Sequence, residues 1–111
     1  MITISFFQSP EDDKFTGFEC SGHSGYSEAG SDIVCAAVSV LTYNFVASLE
    51  KLLKIEAETV AREEDAYLKV NVKEFANDDV QLLFRSLHLG LKEIEKSYKK
   101  NVKLTNRRCK P

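Results

Sequence analysis

A long apolar stripe between residues 33 and 54 most constrains how this chain can fold. Apolar side chains recur there at steps of three and four residues, the spacing of one helical face, at Val34, Val38, Leu41, Phe45, Leu49 and Leu52. Four more apolar residues widen the stripe, namely Ile33, Ala37, Val40 and Leu53. We therefore expect a largely buried helix from Ile33 to Lys54. So broad a stripe exceeds what one facing layer covers, and it suits packing both on a sheet and against a second subunit.

Alternating apolar and polar residues predict strands on both sides of this helix. Residues 2–7 and 14–21 predict a hairpin across the turn-forming segment 9–13. In its second strand, the alternation places Thr16, Phe18 and Cys20 on one face and Phe15, Gly17 and Glu19 on the other. Residues 55–61 and 67–72 predict a second hairpin, whose inward residues are Leu68, Val70 and Val72.

A second helix is predicted to begin after Asn77, because this side chain can accept hydrogen bonds from the first free backbone amides. Apolar residues then repeat at steps of four and three as far as Tyr98, and residues 102–106 predict a last short strand. The resulting order is ββαββαβ. It favours an α+β two-layer sandwich, with two helices packed on a mixed sheet of four to five strands, and residues 1–111 forming a single domain.

The composition argues against several classes of protein. No apolar run approaches the roughly 18 to 20 residues of a membrane span, and the N-terminus lacks the basic flank and cleavage site of a signal peptide. We therefore expect a cytoplasmic protein without membrane contact. The three cysteines form no Cys-x-x-Cys pair or Cys/His cluster, which indicates reduced thiols and no metal site.

The side chains best suited to catalysis lie between the first hairpin and the first helix. His23 follows a predicted strand, and Cys35 lies in the first helical turn if Asp32 is the N-cap. Unsatisfied amides and the helix dipole favour a thiolate at that position. His23 would hold the thiolate as an ion pair and later protonate a leaving amine, as in cysteine hydrolases. Taken individually, both residues are also compatible with purely structural roles.

Several neighbours are candidates for supporting roles. We expect free amides near Cys35 and Ala36 to donate to the oxyanion of a tetrahedral intermediate. Asp32 could orient the imidazole, although its position more simply makes it the helix cap. Ser39 lies one turn after Cys35, where its hydroxyl can donate to the Cys35 carbonyl.

The loop between His23 and Cys35 is rich in glycine. Gly22, Gly25 and Gly30 surround Tyr26 and predict a flexible segment that closes over the substrate as a lid. Residues 1–32 carry six acids and one lysine. As a hypothesis, this acidic third, especially Glu28 in the lid, attracts a basic substrate segment.

The run Gly22-His23-Ser24-Gly25-Tyr26, then Gly30, then residues 32–39, resembles the signature of the Prp family, the bacterial ribosomal-processing cysteine proteases. The match combines a histidine motif, a fixed loop length and an Asp-Ile-Val-Cys-Ala helix start. This resemblance implies that Cys35 is the nucleophile and His23 its base. It further implies that Gly22 and Gly25 are loop glycines and that Asp32 is the acid ahead of the nucleophile. Ser24 stands where alanine is commoner in the family.

The resemblance also implies a substrate and an assembly. The family removes a short N-terminal extension from bacterial large-subunit ribosomal protein number twenty-seven, cutting after an aromatic residue in a hydrophobic, basic-flanked segment. It needs no cofactor. The chain is similar to known homodimers, which fits the over-wide apolar stripe of the first helix.

A noncatalytic alternative is a ribosome-assembly factor whose loop and basic tail bind ribosomal protein or RNA, with Cys35 in a structural role. Residues 96–111 carry seven bases and no acid. However, the formal net charge is −2, and aromatic residues for base stacking are nearly absent from this segment. We therefore do not expect direct nucleic-acid binding.

Overall fold

The computed structural model describes residues 1–28 and 32–108 of the chain. Within these ranges the elements follow the predicted ββαββαβ order. Their bounds are β1 Ile2–Gln8, β2 Phe15–Ser21, α1 Ile33–Leu52, β3 Glu58–Arg62, β4 Tyr67–Asn71, α2 Asp78–Ser97 and β5 Val102–Arg108.

The strands form one mixed sheet in the order β3-β4-β2-β1-β5. β1 pairs with β2 in antiparallel orientation and with β5 in parallel orientation, from Ile2 opposite Val102 to Gln8 opposite Arg108. The α+β sheet-and-helix architecture is therefore confirmed. β5 extends beyond the predicted 102–106, since Arg107 and Arg108 continue the ladder with β1 instead of belonging to a tail.

The core lies between the sheet and the two helices. Its fully buried side chains come from alternate positions of the strands and from the inner faces of both helices, as at Ile4, Phe6, Phe18, Val70, Leu49 and Phe84. Across the helix pair, the rings of Phe45 and Phe84 lie with centroids 4.6 Å apart. This packing fixes α1 above the sheet, so that the start of α1 is held next to the end of β2.

Phe15 lies on the helix side of the sheet, and its predicted placement on the opposite face is wrong. Its ring contacts that of Phe84 on α2, with centroids 5.9 Å apart. The ladder between β1 and β2 shifts between Phe7 and Gln8, where a β-bulge interrupts the regular register. A bulge places one extra residue against the partner strand, so the two-residue alternation fails locally.

α1 ends at Leu52, two residues before the predicted end at Lys54. Lys54 adopts a positive φ of 57°, which reverses the chain, and the Ile55 amide donates to the Leu49 carbonyl at 3.0 Å. Ile55 is consequently buried in the core, and β3 begins only at Glu58. The ending depends on a left-handed residue other than glycine, which leaves no composition signal.

One face of α1 is exposed, so the prediction of a largely buried helix is wrong for this chain alone. Ile33, Val40 and Tyr43 are 55%, 66% and 75% exposed.

The prediction that no apolar run could span a membrane is also wrong, because α1 is long and apolar enough by length and composition. Core helices pass the same test, and Val34 and Phe45 on the inner face of α1 are packed within the fold.

Candidate active site

Asp32 caps the start of α1 with one carboxylate oxygen and holds the preceding loop with the other. Its Oδ1 accepts hydrogen bonds from the amides of Val34 and Cys35 at 2.9 and 3.0 Å, which makes it the N-cap, as predicted. Its Oδ2 accepts from the Ser24 hydroxyl and, at 3.3 Å, from the Ser27 amide. The Ser24 hydrogen bond first, and then the backbone hydrogen bonds, lower the pKa of Asp32 to about 2. Asp32 is therefore an anion at neutral pH.

Ser24 joins the segment after β2 to the proposed nucleophile. The residue is only 2% exposed, and its N–H donates to Sγ of Cys35 over 3.4 Å. Its Oγ accepts from the Tyr26 amide at 3.0 Å while donating to Asp32. Its carbonyl accepts from Nδ2 of Asn101, in the turn before β5, at 3.0 Å. The hydrogen bond from the Ser24 N–H positions the Cys35 sulfur next to the segment that follows β2.

The two amides predicted to bind an oxyanion are already occupied. The Cys35 amide donates to the Asp32 side chain, and the Ala36 amide donates to the Asp32 backbone carbonyl at 3.1 Å. The prediction that they are free is therefore wrong. The cap that starts the helix consumes the first amide, and the first helical hydrogen bond consumes the second.

His23 and Cys35 line the same cleft, which has a volume of about 570 Å³. His23 is exposed, whereas Cys35 is half-buried. No hydrogen bond joins the two side chains in the described part of the chain. One wall of the cleft belongs to α1, and the other belongs to the β3–β4 hairpin, with Thr59, Ala61 and Tyr67 on its surface.

Gly22 is required by a close approach of two chain segments. Its φ is +92°, and a Cβ at this position would lie 2.4 Å from the Met1 carbonyl oxygen. Its amide also donates to the Asp65 carbonyl at 3.2 Å. Gly25 has a φ of +74° but open space around it. Gly22 thus fixes the chain just before His23, and motion of the loop as a lid stays a prediction.

The other predicted supporting residues are more dispersed. Ser39 lines the cleft, but within residues 1–28 and 32–108 its hydroxyl makes no hydrogen bond to the Cys35 carbonyl. Tyr26 packs edge-on against Tyr98, with ring centroids 5.3 Å apart, and does not line the cleft. Glu28 is exposed on the loop, and Gly30 lies outside the described residues.

Cys20 also lines the cleft but is suited to a structural role. Burial first, and then the neighbouring Glu19 charge, raise the pKa of its thiol to about 12. The side chain is therefore a neutral thiol at physiological pH and a poor nucleophile. Across residues 1–28 and 32–108, no three His, Cys, Asp or Glu side chains are grouped to hold a metal ion.

The sequence comparison decides the family. The family model described as cysteine protease Prp matches residues 1–103. The chain belongs to the Prp family. The ribosomal processing cysteine protease Prp of Staphylococcus aureus is 27% identical over 104 residues, which cover 94% of this chain and 97% of that protein. The Bacillus subtilis protein of the same name is 30% identical over 92 residues, covering 79% and 82%.

Solved structures support the same assignment. A crystal structure of Prp from S. aureus with a covalently linked product peptide superimposes with a TM-score of 0.90 at 26% identity, covering 96% of this chain and all of that one. A Streptococcus mutans protein superimposes with a TM-score of 0.87 at 31% identity, covering 98% and 96%. The resemblance to Prp is confirmed, and the chain is a cysteine protease of the ribosomal-processing family. Family membership disfavours the noncatalytic assembly factor.

Several residues around the site of this Prp-family chain were not predicted from the sequence. Ser24 was noted only as a position where alanine is commoner in the family, although its hydroxyl, amide and carbonyl all make hydrogen bonds near the start of α1. Asn101 and the hairpin residues Arg62 and Tyr67 are remote in sequence, and no local pattern marks them. For Ser24, the available signal was its position next to His23, in the segment that leads to the Asp32 cap and Cys35.

Proposed function

We propose that this Prp-family protease hydrolyses peptide bonds with Cys35 as nucleophile and His23 as general acid and base. The observation that carries the proposal is that both side chains line one cleft, with the Cys35 sulfur accepting a hydrogen bond from Ser24. Cys20 lines the same cleft, but burial keeps it protonated. Residues 1–111 would act as one protease domain.

In the proposed reaction, the Cys35 thiolate attacks the scissile carbonyl carbon and forms a tetrahedral oxyanion. Collapse of this intermediate breaks the C–N bond and leaves a thioester, while His23 gives a proton to the departing amine. His23 then takes a proton from water, and the resulting hydroxide attacks the thioester carbon. The C–S bond breaks, which releases the new carboxylate and regenerates the Cys35 thiolate. The exposure of the His23 side chain suits this exchange of protons with water. The reaction needs no cofactor, because thiolate, imidazole and water supply every step.

The lining of the cleft favours an apolar peptide segment. The lining includes Val38 and Val46 of α1 and Ala61 and Leu68 of the β3–β4 hairpin, and Tyr43 adds an aromatic side chain. Burying apolar side chains of a substrate against these residues would contribute about 25 cal/mol for each Å² removed from water. The chemistry of the groove is therefore matched to a hydrophobic sequence around the cleavage site.

We further propose that the substrate is the precursor of bacterial large-subunit ribosomal protein number twenty-seven, cut after an aromatic residue, in the cytoplasm. Relatives from two species carry names that refer to ribosomal processing, and the S. aureus relative has a crystal structure with a substrate peptide. Glu28 on the loop and Glu63 at the cleft would attract a basic flank of the peptide. In that case Glu28→Gln would lower kcat/KM, and the deficit would shrink with added salt.

The substrate proposal is tested by intact-mass spectrometry of the precursor incubated with reduced enzyme. A second precursor, in which the aromatic residue before the cut is changed to alanine, serves as the matched control. We expect one cleavage in the natural precursor and at least tenfold slower cleavage in the alanine variant. An intact natural precursor would contradict the substrate, and equal cleavage of both would contradict selection of an aromatic residue.

We also propose that the protein is a homodimer that pairs through the exposed face of α1. Ile33, Val40 and Tyr43 are spaced by seven and three residues, so they lie on one stripe of the helix, and each is more than half exposed. Val40→Asp should convert the dimer into a monomer in analytical ultracentrifugation. Val60→Asp is the matched control, because Val60 is 53% exposed on β3 and lies off this stripe. A protein that sediments as a monomer before any substitution would refute the dimer.

A further inference from the structure

We propose that Ser24 is a positioning residue for the nucleophile. Asp32 holds the Ser24 hydroxyl, and this contact directs the backbone N–H of Ser24 at the sulfur of Cys35. This inference rests on the proposed role of Cys35 and adds an interaction that keeps the sulfur in its reactive form. The interaction depends on a side-chain hydroxyl in the segment that follows β2, and not on the catalytic pair itself.

The geometry leaves Ser24 little freedom. Its hydroxyl donates to Asp32 and accepts from the Tyr26 amide, and its carbonyl accepts from Asn101. Because the residue is only 2% exposed, these contacts are not readily exchanged for water. The remaining polar group of Ser24, its N–H, points to Sγ of Cys35 at 3.4 Å. Each bond that holds Ser24 therefore also holds the donor that faces the sulfur.

The hydroxyl has a second, electrostatic effect in the same direction. Asp32 carries a negative charge beside the first turn of α1, and a nearby anion opposes a further negative charge on the Cys35 sulfur. The Ser24 hydroxyl donates to Oδ2 of Asp32 and disperses part of that charge. Removal of the hydroxyl would let the Ser24 N–H move away from the sulfur. It would also leave the negative charge of Asp32 less dispersed. Both changes disfavour the thiolate.

Other titratable groups share the cleft with Cys35, and a substitution at Ser24 changes none of these residues. They come from β2 and its following loop, from α1 and from the β3–β4 hairpin, namely Cys20, His23, Tyr43, Arg62, Glu63 and Tyr67. If Cys35 reactivity differs between the Ser24 variant and the unaltered protein, the difference is therefore assigned to the Ser24 hydroxyl.

The test measures the rate at which iodoacetamide alkylates Cys35 between pH 5 and pH 10, resolved by peptide mass spectrometry. In this reaction the thiolate sulfur bonds to the methylene carbon and iodide leaves, so the rate reports the thiolate and requires no peptide substrate. For Ser24→Ala, we expect the midpoint of the alkylation profile to rise by about half to one pH unit. In the cleavage assay, kcat should fall about three- to tenfold with KM changed less than twofold.

Ser9→Ala is the matched control, because Ser9 is also buried, donates its hydroxyl to a carboxylate of Glu11 at 2.8 Å and accepts the Glu11 amide. Ser9 lies in the β1–β2 turn, so its loss should lower stability without moving the alkylation midpoint. Equal midpoints for Ser24→Ala, Ser9→Ala and wild type would overturn the proposal.

A second variant decides the question if Ser24→Ala loses cooperative melting. Asn101→Ala removes the donor to the Ser24 carbonyl while leaving the hydroxyl in place, and the residue is only half-buried. We expect its alkylation midpoint to rise as well, and an unchanged midpoint would overturn the proposal. If no precursor is cleaved by any of these proteins, the proposed protease function fails, while the alkylation profiles still decide the role of Ser24.

Discussion

The amide nitrogen of Cys35 lies 3.0 Å from Oδ1 of Asp32, so one carboxylate both starts α1 and fixes the backbone of the proposed nucleophile. The other oxygen of the same carboxylate holds the loop that carries His23, through Ser24 and Ser27. Stability at the start of the helix and geometry of the active site therefore depend on the same group. Substitutions here should change both properties.

Replacing Asp32 with alanine should lower the melting temperature at pH 7 by about 5 °C, the effect of losing a helix cap. The folded-state pKa of about 2 lies below the ordinary value of 3.8, so the ionised group stabilises the fold above about pH 4. This contribution is lost as pH falls from about 4 towards 2. The difference between wild type and Asp32→Ala, measured by differential scanning calorimetry, should therefore shrink over that interval.

Asn77→Ala is the matched control for this pH dependence. Asn77 caps α2 by accepting from the amides of Asp79 and Val80 at 2.8 and 3.2 Å, but its side chain does not ionise. Its loss should cost a similar number of degrees at every pH in the series. Parallel behaviour of the two alanine variants between pH 4 and pH 2 would contradict an ionised, hydrogen-bonded Asp32.

Gly22→Ala should be considerably more destabilising than Gly25→Ala. Both positions have positive φ, which costs an alanine about 1 to 2 kcal/mol, but only at Gly22 would the added Cβ meet a backbone atom, the Met1 carbonyl oxygen at 2.4 Å. Relief of that overlap should cost about another 1 to 3 kcal/mol. Urea unfolding of the two variants measures the difference. Equal losses would mean that the chain before His23 is not constrained by Met1.

The two described cysteines should differ sharply in reactivity. Burial raises the pKa of Cys20 to about 12, so at pH 8 only about one thiol in ten thousand is a thiolate. Cys35 is half-buried and opens to the cleft. Iodoacetamide at pH 8 should therefore label Cys35 at least tenfold faster than Cys20, as measured by peptide mass spectrometry. The same reaction in denaturing urea is the control, where the rates should converge; equal rates in the native protein would contradict the assignment.

Local signals predicted the parts of the fold that depend on neighbouring residues. Asp32 and Asn77 each accept from amides two and three residues ahead, a pattern visible within four residues of sequence. Phe15 was misplaced because the bulge arises from the register between two strands, and the end of α1 was missed because Lys54 adopts a left-handed conformation. Neither the bulge nor the left-handed residue changes the spacing of apolar residues in the sequence.

The candidate site shows the same limit. His23 and Cys35 were predicted from their chemistry and from the resemblance to Prp, and both line one cleft. The opposite wall, built from the β3–β4 hairpin, depends on how the sheet is ordered and could not be read from spacing. The Ala36 amide was expected to be free because it lies in the first helical turn, but it already donates to the Asp32 backbone carbonyl.

The most direct test of the Cys/His dyad compares cleavage of the ribosomal protein precursor by wild type, Cys35→Ala and His23→Ala. His88→Ala is the matched control for the histidine, since His88 stacks on Phe15 in the fold and is not among the residues that line the cleft. With each protein folded and reduced, we expect one cleavage by wild type and by His88→Ala, and a loss of at least a thousandfold in kcat for Cys35→Ala and His23→Ala. Undiminished cleavage by Cys35→Ala or His23→Ala would contradict it.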